Sequence, residues 1–220
     1  MLPSPETERL AALRRQMVES QLRARGLADE RVLAAMQRIP RHLFMAESFR
    51  KDAYADHPLP IGEGQTISQP YIVALTLHAL ALHPEFTVLE IGTGSGYMTA
   101  LLAELSHHVY SIERFETLSR GAESVLRDLK IRNVTLLVGD GSRGLPDHAP
   151  YDAIAVAAAA PHIPAPLLQQ LREGGRLVIP IGPPGDQELQ FVRKTHQGPR
   201  LTSLGRCAFV PLIGSEGYVA

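Results

Sequence analysis

The chain has one cysteine, Cys207, no tryptophan, and a formal net charge of only -1 over its 220 residues. A lone thiol cannot close an internal disulfide, which fits a reducing compartment. Near-neutral charge argues against nucleic acid as an obligate partner. No apolar run approaches the ~20 residues that span a bilayer. Residues 1–9 also carry no hydrophobic signal core, so the expectation is a cytoplasmic protein without a membrane partner. The nine histidines contain no i, i+4 pair, so no metal site is expected. His107 and His108 are neighbours that point to different sides. The nucleophile elbow G-x-S-x-G is missing as well, because glycine stands directly before Ser95 in Gly92-Thr-Gly-Ser-Gly96. That argues against a serine hydrolase.

The composition is that of an ordinary α/β protein, with 45% hydrophobic and 20% charged residues. The length suits a single domain over 1–220 with a small extension. Leu10, Leu13, Met17 and Leu22 share a stripe of a predicted amphipathic helix over 6–22, which Gly26 stops. Asp29 is placed to cap a second helix through Val32, Leu33, Met36 and Ile39, ended by Pro40, and 41–49 reads as another short helix. Residues 1–50 are therefore expected to form a helical extension. Residues 51–70 hold Pro58, Pro60, Gly62, Gly64 and Pro70 and read as a turn-rich loop, after which 71–82 returns to a helical pattern.

From 71 to 220 the pattern is that of an α/β core. Strands are expected over 87–91, 108–112, 134–138, 152–157 and 176–180, with helices over 97–105, 116–130 and 166–171 between them. That alternation implies right-handed crossovers and a doubly wound, mostly parallel sheet. Two β-rich runs, 188–194 and 207–212, flank Gly198-Pro199 and predict an antiparallel hairpin at the sheet edge. Cys207 would then be a small apolar residue of the edge strand.

Chemistry is expected at the carboxyl ends of the strands. The run Val88-Leu-Glu-Ile-Gly-Thr-Gly-Ser-Gly-Tyr97 reads as strand, tight turn and helix start. Gly92, Gly94 and Gly96 permit positive φ and close approach of a ligand, and the helix start offers unpaired N–H groups. A dinucleotide fingerprint needs glycine where Tyr97 stands, which argues against NAD or FAD. Glu113, about 20 residues after the glycines, suits a pair of ribose hydroxyls, or else is a solvated charge beside a helix start. Asp140, in Gly139-Asp-Gly141, could accept from an adenine amino group or simply form a turn.

These strand ends resemble those of S-adenosylmethionine-dependent methyltransferases of the Rossmann-like class. Two further stretches, Gly64-Gln-Thr-Ile-Ser-Gln-Pro-Tyr-Ile-Val-Ala74 and Ala158-Ala-Ala-Pro161, narrow the resemblance to the protein-L-isoaspartate O-methyltransferase family. So do Gly174-Gly-Arg-Leu-Val-Ile-Pro-Ile-Gly182 and Phe209-Val-Pro-Leu212. The resemblance implies methyl transfer from S-adenosylmethionine to the free carboxylate of L-isoaspartyl residues in damaged proteins and peptides, whose ester then collapses to a succinimide. It implies cofactor binding by Gly92, Thr93, Gly94, Ser95, Gly96, Glu113, Asp140 and Gly141. It gives Ser68, with Thr66 beside it, the orientation of the reacting groups; on local grounds the lesser alternative for Ser68 is a cap for the helix from Tyr71. A monomer without a metal is expected. Ala157 and Met98 depart from the residues usual in the family, which leaves open a related methyltransferase with another acceptor, or a non-catalytic homologue.

Overall fold

In the computed structural model, which describes residues 5–219, the chain opens with α1 (Pro5–Gln16) and α2 (Glu30–Arg38). A small hairpin, β1 (Leu59–Gly62) and β2 (Gln65–Ile67), precedes α3 (Pro70–Leu80). Then come β3 (Thr87–Ile91), α4 (Tyr97–Leu105), β4 (His108–Glu113), α5 (Glu116–Asp128) and β5 (Val134–Val138). After them follow β6 (Tyr151–Val156), α6 (Ala165–Gln170), β7 (Leu171–Ile181), β8 (Gln187–Arg193) and β9 (Arg200–Cys207). The last seven strands form one sheet in the order β5-β4-β3-β6-β7-β8-β9, parallel from β5 to β7 and antiparallel beyond.

The chain leaves β3 toward β5 and returns on the other side of β3 to make β6. The carboxyl ends of β3 and β6 therefore diverge, at the switch point where sheets of this kind bind ligands. Alternation along β3 fills both faces: Val88 packs with α3 and α4, while Leu89 and Ile91 pack with α6. The amino-terminal helices join the first of these cores through Leu10, Met17, Leu22, Leu33 and Met36. Asp29 caps α2 by accepting from the amides of Arg31 and Val32. Arg31 reaches on to the carbonyls of Leu82 and Leu105, and Arg176 to those of Leu80 and Ala81, so cations close the carboxyl ends of α3 and α4.

Four expectations are corrected. The helix expected over 6–22 is α-helical only to Gln16; Met17–Leu22 is a π-helical turn, and Gly26, at φ 87°, ends the run. Met17, Val18 and Leu22 of this turn are all buried. The short helix over 41–49 is two 3-10 turns, Arg41–Phe44 and Glu47–Asp52. The loop over 51–70 contains the β1–β2 hairpin: Gly62, Glu63 and Gly64 all have positive φ and reverse the chain. The second strand of the edge hairpin is Arg200–Cys207 rather than 207–212. The short turn at Gly198 sets its register, so pairing with β8 starts at Arg200↔Arg193 and is complete at Cys207↔Gln187.

An acidic side chain stands in the middle of the sheet. Glu90, in the middle of β3, is fully buried; its Oε2 accepts from the hydroxyls of Thr99 and Ser111, each at 2.6 Å, and its Oε1 has no partner among the described residues. Burial pushes its pKa up to about 8, against the two hydroxyl bonds. A folded pKa above the unfolded value means stability that is complete in acid and is lost as pH rises through the folded value. Glu90→Gln is therefore expected to gain on the parent protein by up to about 1.4 kcal/mol per pH unit between pH 5 and 8. Urea unfolding of both proteins at several pH values measures this; a difference constant with pH would show an ordinary carboxyl.

Candidate functional site

A cavity open to solvent lies across the carboxyl ends of β3, β4, β5 and β6. Its centre is the turn after β3. Gly92, Gly94 and Gly96 have φ of 91°, 53° and 85°, all in the left-handed region. Gly96 also lies so close to α5 that an added Cβ would sit 2.9 Å from Cβ of Ala122. Two hydrogen-bonded ties hold the turn. The Gly94 amide donates to Glu113 Oε2 at 2.8 Å, and the Thr93 hydroxyl meets that of Ser111 at 2.6 Å, which continues to Glu90. Ser95 lines the cavity beside them.

Glu113, at the end of β4, is 5% exposed. Its Oε1 accepts from the Phe115 amide at 3.0 Å, so it steadies the start of α5 while facing the cavity. A carboxylate oxygen has two lone-pair directions, and each oxygen of Glu113 keeps one free. At the end of β5 the backbones of Gly139 and Gly141 line the cavity. Between them the Asp140 carboxylate is engaged elsewhere: Oδ1 accepts from the amide and hydroxyl of Ser142, and Oδ2 from the Ser215 amide at 2.8 Å. Asp140 thus fastens the carboxyl-terminal segment onto the rim, and Gly214 makes the approach possible, because a Cβ there would overlap the carboxylate. The Ser215 hydroxyl bonds the same carboxylate, and Asp140 does not line the cavity.

The β1–β2 hairpin covers the turn from the other side. An added Cβ on Gly94 would lie 3.3 Å from Cδ1 of Ile61, and the Thr117 hydroxyl donates to Glu63 at 2.7 Å, fixing the hairpin to α5. Thr66 and Ser68 follow on the cavity wall. The local reading of Ser68 as a helix cap does not hold. Asp56 takes that role, accepting from the Tyr71 amide at 2.9 Å while Arg25 pairs with its other oxygen at 2.7 Å. The Ser68 hydroxyl makes no hydrogen bond to any described residue and opens on the cavity.

Three parts of the wall were not foreseen as site residues. Ile72, Val73 and Thr76 come from α3, Arg114 from the end of β4, and Phe209–Ile213 from the segment after β9. That last segment docks on the chain after β6: the Ala159 amide donates to Val210 and the Leu212 amide to Ala159. Its apolar residues in a row read as a strand; the signal against this was Pro211, which has no amide for a sheet. Ala157 and Met98 also line the cavity. Among the described residues no group of three or more histidine, cysteine or acidic side chains is placed to hold a metal.

A family model described as protein-L-isoaspartate(D-aspartate) O-methyltransferase matches residues 13–217. Protein-L-isoaspartate O-methyltransferase 1 of Syntrophobacter fumaroxidans is 52% identical over 205 residues, covering 93% of this chain and 96% of its own. The protein-L-isoaspartate O-methyltransferase of Koribacter versatilis is 51% identical over 218 residues, covering 99% and 98%. Among solved structures, a putative protein-L-isoaspartate O-methyltransferase from Plasmodium falciparum, in complex with S-adenosyl-L-homocysteine, superposes with a TM-score of 0.79 at 28% identity over 91% of this chain and 98% of that one. With nearly the whole length in common, this chain belongs to the protein-L-isoaspartate(D-aspartate) O-methyltransferase family.

Proposed function

We propose that this chain, as one methyltransferase domain, transfers a methyl group from S-adenosylmethionine to the free carboxylate of L-isoaspartyl residues in damaged proteins and peptides. The observation that carries this reading is that the Ser68 hydroxyl, free of any capping duty, opens on the same cavity as the glycine turn and Glu113. The wall suits the cofactor. Glu113 keeps two acceptor directions for ribose hydroxyls, Gly139 and Gly141 suit an adenine, and the glycines let a ligand approach the backbone.

Bound there, S-adenosylmethionine supplies an electrophilic methyl group on a sulfonium. The protein has little acid–base work to do, since an acceptor carboxylate with a pKa near ~4 is already ionised at neutral pH. Glu113 and Arg114 are the acidic and basic residues on the described wall, and neither is needed as a base. Ser68 and Thr66 instead donate hydrogen bonds that hold the acceptor carboxylate in line, and the hairpin excludes water from the reacting groups. The same reading makes the chain a cytoplasmic monomer acting on protein partners without nucleic acid or membrane; its lone thiol, Cys207, supports the reducing compartment.

Tritium-labelled methyl transfer to matched aspartyl and isoaspartyl peptides tests the activity. Label on the isoaspartyl form alone is expected; equal label on both points to a broader carboxyl acceptor, and cofactor binding without label points to a non-catalytic homologue. Ser68→Ala is expected to lower kcat by about tenfold or more while leaving cofactor affinity nearly unchanged; unchanged kcat would remove Ser68 from the reaction. Glu113→Ala is expected to weaken S-adenosylhomocysteine binding by about 1–3 kcal/mol by calorimetry. Equal affinity would reject its ribose contact.

A further inference from the structure

One hydroxyl on the cavity wall has no part in the reading so far. Thr76 lies on α3, and helical spacing puts it on one face with Ile72 and Val73, all three lining the cavity. It is 4% exposed. A threonine inside a helix commonly turns its hydroxyl back to the carbonyl four residues earlier. Thr76 makes no such bond, and among the described residues its hydroxyl has no hydrogen-bond partner. Nor is that oxygen sealed in protein, so its outlet is the cavity. The same cavity wall carries the apolar side chains of Ile72, Val73, Ile91, Val156 and Phe209.

Position in the fold says which part of a ligand meets it. Reading across the strand ends, β5 offers Gly139 and Gly141, β4 offers Glu113, and β3 and β6 offer the glycine turn and Ala157. Helix α3 packs against β6 and β7, so Thr76 stands on the side away from β5. A ligand with its adenine at β5 and its ribose at β4 carries its remaining part toward Thr76. In S-adenosylmethionine that part ends in an ammonium and a carboxylate, which need hydrogen-bond partners when they leave water. We propose that the Thr76 hydroxyl hydrogen-bonds the charged amino-acid end of the bound cofactor. The inference rests on the cofactor placement given under the proposed function and adds to it a wall residue outside the glycine turn.

The test compares two ligands by calorimetry on the full chain: S-adenosylhomocysteine, and 5′-methylthioadenosine, which has the adenine, ribose and thioether but no amino-acid end. Thr76→Val keeps the shape and removes the hydroxyl. It is expected to weaken S-adenosylhomocysteine about tenfold and to leave 5′-methylthioadenosine unchanged, which also shows that the variant is folded. Thr76→Ser is expected to restore most of the lost affinity. Unchanged affinity of the valine variant for S-adenosylhomocysteine overturns the proposal, and so does an equal loss for both ligands, which would place the hydroxyl in the fold instead. Failure of the parent protein to bind S-adenosylhomocysteine would overturn the cofactor placement itself.

Discussion

The hydrogen bond from the Gly94 amide to Glu113 is the constraint on which the site depends. It joins the turn after β3 to the end of β4, and it exists only because the turn is left-handed at three glycines, which aims the amide sideways at the next strand. Glu113 is thereby held at the cavity, steadied further by the Phe115 amide. A second tie lies beneath it, where Thr93 reaches Glu90 through Ser111. Sheet pairing sets Glu90 opposite Ser111, so the parallel register of β3 and β4 makes both ties possible at once.

Those ties rest on a buried carboxyl, and burying one is costly when it is ionised. Glu90 meets that cost by holding its proton to about pH 8, with the nearby Glu113 adding to the push that burial gives. A neutral carboxyl can still accept from Thr99 and Ser111, so the relay survives without an interior charge. Ionised, the same group would have a bare oxygen, since Oε1 has no partner among the described residues. The turn and its support thus use two carboxyls one strand apart in different ways: Glu113 accepts from backbone amides, and Glu90 works by staying uncharged.

Local signals made most of the sheet legible. The strand over 87–91 and the helix over 97–105 were read to the residue because a glycine with positive φ separates a period of two from a period of 3.6. Gly92, Glu113 and Gly141 were placed together because the topology of alternating strands and helices puts strand ends at one edge. What was not legible depends on partners distant in sequence. Asp56 capping the amide of Tyr71 is one such case, since nothing near Pro70 announces it. The hairpin at 59–67 is another: Pro60 and the reversal at 62–64 look like loop chemistry, and only pairing of Leu59 with Ile67 makes them strands. The run 207–212 failed for the opposite reason, because apolar residues in a row were counted as a strand when their burial comes from docking on Ala159.

The case of Asp56 matters for chemistry as well as fold. A serine two residues before a proline at a helix start has an obvious structural use, and a hydroxyl so used is unavailable to a ligand. By taking the Tyr71 amide, and being held by Arg25 on its other oxygen, Asp56 supplies the cap from outside the loop. The loop is then ordered without spending the Ser68 hydroxyl, which stays pointed at the cavity with no competing acceptor among the described residues. A methyl transfer that needs no base depends on such spare donors, because its rate is set by how well two charged partners are aligned and kept dry. Asp56 thus leaves the Ser68 hydroxyl unspent without itself lining the cavity.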